Sequence, residues 1–475
     1  MTKIGNNTFS DCTSLASITM SDNVTEIGDA AFAYCDALTS ITLPDSVTAI
    51  GDAAFAYCDA LTSISIPDNV KKIGKDTFYS CDSLASITLP GSVTEIGDYA
   101  FGSCGALVSI AIPDGVSTIG DYAFASCDSL TSAIVPDSVT EIGKNAFSKC
   151  YNLASITIPE SVTKIGEKAF SYCSKLTSIT IPESVTEIGR NSFLSCVYLA
   201  EIEVSPENPN YTSVDGVLFT KDMKTLVLYP IGKTENEYVI PDGVTAVGDN
   251  SFERCNSLKS VIVSDSVRTI GDYAFSYCGK LSSVTIPNSV TEIGDHAFFS
   301  CKSLTSVTVP DSVTEIGAYA FNNCTTLRSI TIPNSVTKIG EGTFSQCPNL
   351  TVKCTEGSYA QEYLERNDIR FIYLTSDTDM PSGETTVSSG GSETSTSSSS
   401  DTDAQEDNVI IIAVAAAVCA VIIAVAACMV VRRKKHNTSR SQDNGQNNSG
   451  DNSHSQEQEP NQDKEQDQSE NQNKG

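Results

Sequence analysis

An α/β repeat solenoid, followed by a stalk, one membrane-spanning helix and a tail, is the architecture this sequence predicts. Three observations carry it. First, cysteines recur with a fixed step of 23: Cys12, Cys35, Cys58, Cys81, Cys104, Cys127, Cys150, Cys173 and Cys196. After one step of 59, Cys255, Cys278, Cys301, Cys324 and Cys347 resume the step of 23. Second, the same unit, L-x-S-I-x-I-P-x-S-V-T-x-I-G-x-x-A-F-x-x-C, surrounds each cysteine, and a period in this range marks a stack of supersecondary units. Third, the run from Val409 to Val431 is apolar and uncharged without interruption.

Each unit reads as one coil. In Ser40-Ile41-Thr42-Leu43, Ile41 and Leu43 point inward and the alternation predicts a strand. Pro44 ends its pairing. Val47 and Ile50 are further inward residues, and Gly51 predicts a tight turn. Asp52 then caps a short helix or 3₁₀ turn carrying Ala54, Phe55 and Cys58; Ala54, Cys58 and Leu61 have the spacing of one helical face. One coil cannot bury its apolar side alone, so neighbours must stack. Residues 23–204 hold eight such units and residues 241–349 five more. Met1 to Gly5 enter in mid-unit with no secretory signal pattern in front; a truncated start and a bare core edge are the two readings.

The step of 59 exceeds the regular step by 59 − 23 = 36, which places an insertion at 205–240. It reads as strands at Tyr211 to Val214, Val217 to Phe219 and Thr225 to Tyr229, with Asp215-Gly216 as a hairpin turn. After the array, residues 350–374 predict a cap: a helix over Ser358 to Asn367 and a strand over Ile369 to Leu374. The solenoid with its cap thus spans 1–374. Residues 375–408 are rich in Ser, Thr, Gly and acids and predict a disordered stalk. The apolar run 409–431 is about 34 Å long as a helix, enough to cross a bilayer. Arg432, Arg433, Lys434 and Lys435 follow it, so the positive-inside rule puts the tail, 432–475, in the cytoplasm and the repeats outside.

Composition excludes several functions. The net charge is −29, from 30 basic and 59 acidic residues, and the tail holds 7 basic against 8 acidic. The acidic body therefore repels nucleic acid. No cofactor or metal is implied: there is no C-x-x-C pair, and His296, His436 and His454 share no ligand spacing. Nucleophile-elbow, phosphate-loop and zinc-protease motifs are all missing, so no enzyme is predicted. The ladder cysteines read as a stack of buried free thiols, with disulfides between neighbouring rungs left open by the strand spacing of about 4.8 Å.

The repeating unit resembles the leucine-rich repeats of the BspA-like surface protein family. Val214-Asp215-Gly216-Val217-Leu218-Phe219 and Glu356-Gly357-Ser358-Tyr359-Ala360 look like variants seen there too. The resemblance covers residues 1–374 and implies a leucine-rich-repeat solenoid of a surface protein, with members in oral and gut bacteria and in trichomonad parasites. It further implies partners among extracellular-matrix, plasma and cell-surface proteins, fibronectin included.

The candidate surface is the outward face of the strands, a ribbon of hydroxyls that includes Ser40/Thr42, Ser86/Thr88, Ser155/Thr157, Ser178/Thr180, Ser306/Thr308 and Ser329/Thr331. Its character changes at Glu201 and Glu203, just before the insertion. A specific site is therefore expected at Glu201, Glu203, Tyr211 and Phe219. The expected function is adhesion by many weak contacts. A signalling or endocytic receptor and a passive coat are the alternatives; the tail carries no tyrosine for tyrosine-based sorting.

Overall fold

The structure, a computed structural model, describes residues 1–374. Most coils contribute two short strands, and runs of these pair in parallel with their equivalents in neighbouring coils; the strand expected at Ser40 to Leu43 is reduced to a single bridge between Ser40 and Ser63. In the first ladder Ser155–Thr157 lies beside Ser132–Ile134, with Ser132 opposite Ser155 and Ala133 opposite Ile156. In the second, Glu141–Ile142 lies between Thr118–Ile119 and Lys164–Ile165. Register follows from burial. The middle residue of each Ser-Ile-Thr strand faces the core while its neighbours face solvent, and a slip by one residue would invert both.

The third wall of the coil overturns one expectation. The sequence predicts a short helix around Ala54, Phe55 and Cys58; the structure has turns there. The one α-helix among the described residues is α1, Tyr359–Arg366. Two residues per coil take left-handed backbone angles, Ala53 at φ 54° and Tyr57 at φ 60° in the coil that ends at Cys58. This alternation divides the N–H groups. Ala53, Phe55 and Tyr57 donate to the carbonyls of Lys75, Thr77 and Tyr79 in the next coil at 2.8–2.9 Å, while Ala56 and Cys58 close turns onto Ala53 and Phe55. A helix would keep all these donors for itself. Here three of the five join the coils, which an isolated short helix could not do.

The polar letters of the repeat are connectors between coils. Cys58 donates its thiol to the Phe32 carbonyl at 3.1 Å, and Cys127 does the same to Phe101 at 3.2 Å. Ser138 Oγ donates to the Val116 carbonyl at 2.6 Å and Thr163 Oγ1 to the Thr140 carbonyl at 3.2 Å. Asp52 does not cap a helix in its own coil; its carboxylate accepts the Lys75 N–H at 2.9 Å. The glycine before it is there for space rather than turn angle. A Cβ on Gly143, at the same place in a later coil, would sit 2.6 Å from the Gly120 carbonyl carbon, closer than such contacts occur. All fifteen described cysteines are free thiols.

Inside, the phenylalanines stack as a column, Phe32 on Phe55 at 5.4 Å and Phe298 on Phe321 at 5.2 Å between ring centroids. The column is broken once. The first core runs from Ile4 to Ile202 and includes Leu218; the second contains Val217, Phe219 and the buried apolar residues from there to Phe371. The strand Val217–Thr220 stands between them, its first three residues all buried. It pairs antiparallel with Tyr211–Val214 on one side and Thr225–Leu228 on the other. Thr225–Leu228 in turn starts the second ladder beside Ala246–Val247. Tyr229 therefore occupies a phenylalanine rung, 5.1 Å from Phe252 and one full period before it. Much of the apparent insertion is a divergent coil.

The array ends in α1. Ser358 caps it, its side chain accepting the Gln361 N–H at 3.2 Å, and Ala360, Tyr363 and Leu364 are its buried residues. Phe371–Tyr373 then pairs with Thr351–Cys354. The stalk, the apolar run 409–431, Arg432, Arg433, Lys434, Lys435 and the tail lie outside the described residues. Among the described residues no helix is long and apolar enough to cross a membrane.

Candidate binding surface

The Ser-Ile-Thr strands present one solvent-facing ribbon because successive side chains alternate between faces. Ser40, Thr42, Ser86, Thr88, Ser155, Thr157, Ser178, Thr180, Ser306 and Thr308 are exposed, and Ser329 and Thr331 half-buried. Across the first coils the ribbon forms a depression of about 520 Å³, bounded by Ser40, Asp45, Pro67 and Thr88. It contains no acid–base or nucleophile constellation. No group of residues suited to hold a metal ion occurs among the described residues.

One spot on this ribbon is apolar. Ile134 is 72% exposed. Ala111 lies directly opposite Ile134 in the neighbouring strand and is exposed as well. Sequence reasoning missed this spot. Its signal is the order Ser132-Ala133-Ile134, in which the small residue takes the inward place and the isoleucine the place of threonine. An aliphatic side chain of that size on a polar face is the informative kind of exception.

The residues singled out near the insertion separate. Glu201 and Glu203 stand exposed on the strand Glu201–Val204, opposite Ser178 and Thr180, and Thr180 donates its hydroxyl hydrogen to Glu203 at 3.4 Å. Tyr211 is half-buried and its hydroxyl oxygen accepts the Ile188 N–H at 3.2 Å, which closes the end of the second ladder. Phe219 is wholly buried in the second core and offers nothing to a ligand. The structure thus brings Glu201 and Glu203 together on the ribbon and assigns Tyr211 and Phe219 to packing.

Ionisable groups elsewhere serve the fold. Burial pushes the thiol of Cys35 up to about 11 and that of Cys58 to about 12, so both stay protonated donors at neutral pH. Burial also holds His296 below its ordinary value; its ring stacks between Tyr273 and Tyr319 at 4.5 and 5.0 Å.

Parallel two-strand coils, stacked around columns of phenylalanine, define a leucine-rich-repeat solenoid. The model of the BspA-type leucine-rich repeat region matches residues 2–131, 94–222 and 233–351, and the chain belongs to that family. A leucine-rich cell surface protein from Faecalibacterium prausnitzii A2-165 is 34% identical over 76% of this chain and 90% of its own, with a TM-score of 0.58. A leucine-rich repeat protein from Bacteroides ovatus is 31% identical over 69% of this chain and 88% of its own, with a TM-score of 0.49. The pneumococcal vaccine antigen PcpA is 26% identical over 66% of this chain and 80% of its own, with a TM-score of 0.53. No curated protein matches the chain. The family is one of surface proteins, and its fold is that of binding proteins.

Proposed function

We propose that the chain is a surface-displayed adhesin that binds extracellular-matrix or cell-surface proteins through the ribbon of the Ser-Ile-Thr strands. The observation that carries this reading is the apolar pair of Ala111 and Ile134 set in a long hydroxyl face. Such a face supplies many weak hydrogen-bonding contacts, and the spot supplies a place where a partner's apolar side chain can lose water. In this reading 409–431 anchors the protein as a single pass, with Arg432, Arg433, Lys434 and Lys435 on the cytoplasmic side, and the chain performs no catalysis. Glu201 and Glu203 mark the acidic end of the first half of the ribbon.

The test is binding of the purified full-length chain to immobilised fibronectin and to a panel of other matrix and plasma proteins. Saturable binding that weakens about tenfold in Ile134→Thr supports the reading. Binding to none of the panel, or equal binding by Ile134→Thr, removes the ribbon from consideration.

A further inference from the structure

A different surface, the turn wall at the junction of the two cores, carries an inference that does not depend on the ribbon. In the coils before the junction the same three N–H groups join each coil to the next. Asn145, Phe147 and Lys149 donate to Glu167, Ala169 and Ser171; Lys168, Phe170 and Tyr172 donate to Arg190, Ser192 and Leu194. At Asn191, Phe193 and Ser195 this pattern stops, and no acceptor for these three N–H groups occurs among the described residues. Among the described residues the equivalent groups are otherwise left over at Ile231, in the divergent coil itself, and at Gly342, Phe344 and Gln346 in the last coil, where the array ends. The junction is thus an end of the ladder placed inside the molecule.

The cause is a short rung. Leu226 pairs with Val247 and Tyr229 stacks on Phe252. Leu226 and Tyr229 stand three positions apart where Val247 and Phe252 stand five apart, so the divergent coil is two short in the turn wall. Arg190 and Asp249 reach past it and meet at 2.6 Å. Beneath them lies a cavity of about 110 Å³. Its apolar lining includes Phe193, Leu199, Leu218, Leu228 and Ile231. Three of its lining side chains hold buried polar atoms without a partner: Asn191 Oδ1, Ser195 Oγ and Tyr229 Oη. Ser195 is 8% exposed and Tyr229 1% exposed. Buried polar groups are nearly always paired; here three buried side-chain atoms are unpaired, and three lining residues, Asn191, Phe193 and Ser195, also carry backbone N–H groups without an acceptor, which points to an occupant.

We propose that this cavity takes a short peptide stretch of small residues from a partner protein, which completes the missing rung. Elsewhere in the array these three N–H groups are met by carbonyls of alternate residues along one chain, and a peptide backbone is the chemistry that repeats a carbonyl in that way. At roughly 10–15 Å³ per water centre, the cavity has room for about eight waters, the size of a di- or tripeptide of Gly and Ala. The left-handed angles at Asn191 and Ser195, both φ 59°, show the backbone form that the neighbouring rung follows, and glycine takes that form without strain. Charge does not favour a free anion, because Asp249 and Glu253 also line the cavity.

The experiment is amide hydrogen exchange on the full-length chain, with acetyl-Ala-Gly-Ala-amide as probe and sodium acetate as the second arm. In the free protein, Asn191, Phe193 and Ser195 should exchange faster than Asn145, Phe147 and Lys149, which are bonded. The peptide should slow the first set about tenfold at saturation and leave the second set unchanged. Ile231→Trp, which fills the cavity from its wall, should abolish the effect; Leu194→Trp is the second plug should the first not fold. Equal exchange of the two sets in the free protein overturns the proposal. So does an absence of slowing at millimolar peptide, which means a hydrated seam, or equal slowing by acetate, which means a general acceptor site.

Discussion

Leu218 and Phe219 are neighbours in the chain and belong to different cores. Leu218 packs with the first coils and Phe219 with the last. Alternate side chains of one doubly buried strand point to opposite faces, so the strand Val217–Thr220 closes one core and opens the other. Leu218→Ala should cost roughly 2–5 kcal/mol and Phe219→Ala roughly 3–5 kcal/mol. Because repeat arrays respond locally, hydrogen exchange should rise chiefly before residue 205 in the first variant and after residue 217 in the second. Equal rises on both sides in both variants would mean a single cooperative core.

The glycine after each isoleucine is set by the spacing between coils. Gly143→Ala places a methyl group against the Gly120 carbonyl and should lower stability by roughly 3 kcal/mol, the upper part of the range for overpacking. Gly91 has open space where a methyl group would stand, so Gly91→Ala should be neutral or stabilise by up to about 1 kcal/mol. Denaturant midpoints of the two variants compare them directly.

Left-handed residues recur at two places in every regular coil, and none is β-branched. Ser126, at φ 58°, is one of them. Ser126→Gly should be at least as stable as the parent, because glycine carries no Cβ penalty there. Ser126→Val should be destabilised by about 2 kcal/mol. Thermal melts that rank valine with glycine would remove backbone angle as the reason for this choice of residues.

The thiol column predicts an alkaline limit. Cys35 and Cys354 titrate at about 11, and Cys58 and Cys196 at about 12, all raised from 9.0 by burial. A raised thiol value means that the unfolded chain loses protons first as pH rises. The stabilisation is therefore complete below about pH 9 and falls between about pH 9 and 12. Melting temperature followed over that range should drop steeply, and Cys58→Ala with Cys35→Ala should make the drop shallower while lowering stability at neutral pH.

How legible the molecule is depends on whether a residue repeats. The inward Ile, Val, Leu and Phe and the paired strands can be read from periodicity, because identical side chains stacked one period apart must share one environment. The turn wall reads as helix from the spacing of Ala54, Cys58 and Leu61, yet their neighbours' N–H groups bond to the next coil. Phe219 escapes the pattern for a related reason, since exposure at a strand between two cores cannot be inferred from alternation. Ile134 and the shortened rung before Tyr229 are departures of single positions, and a repeat-based reading averages over them.

The sequence by itself determined the rung: which residues point inward, which letters are polar, and that coils must stack. Repetition settles this, because each side chain meets a copy of itself in the coils above and below. Only the tertiary structure decided where the stacking is incomplete. A hydrogen bond between coils needs a donor and an acceptor at the same height. Whether Asn191, Phe193 and Ser195 find acceptors depends on the length of a rung far along the chain, near Leu226 and Tyr229, which no local pattern encodes.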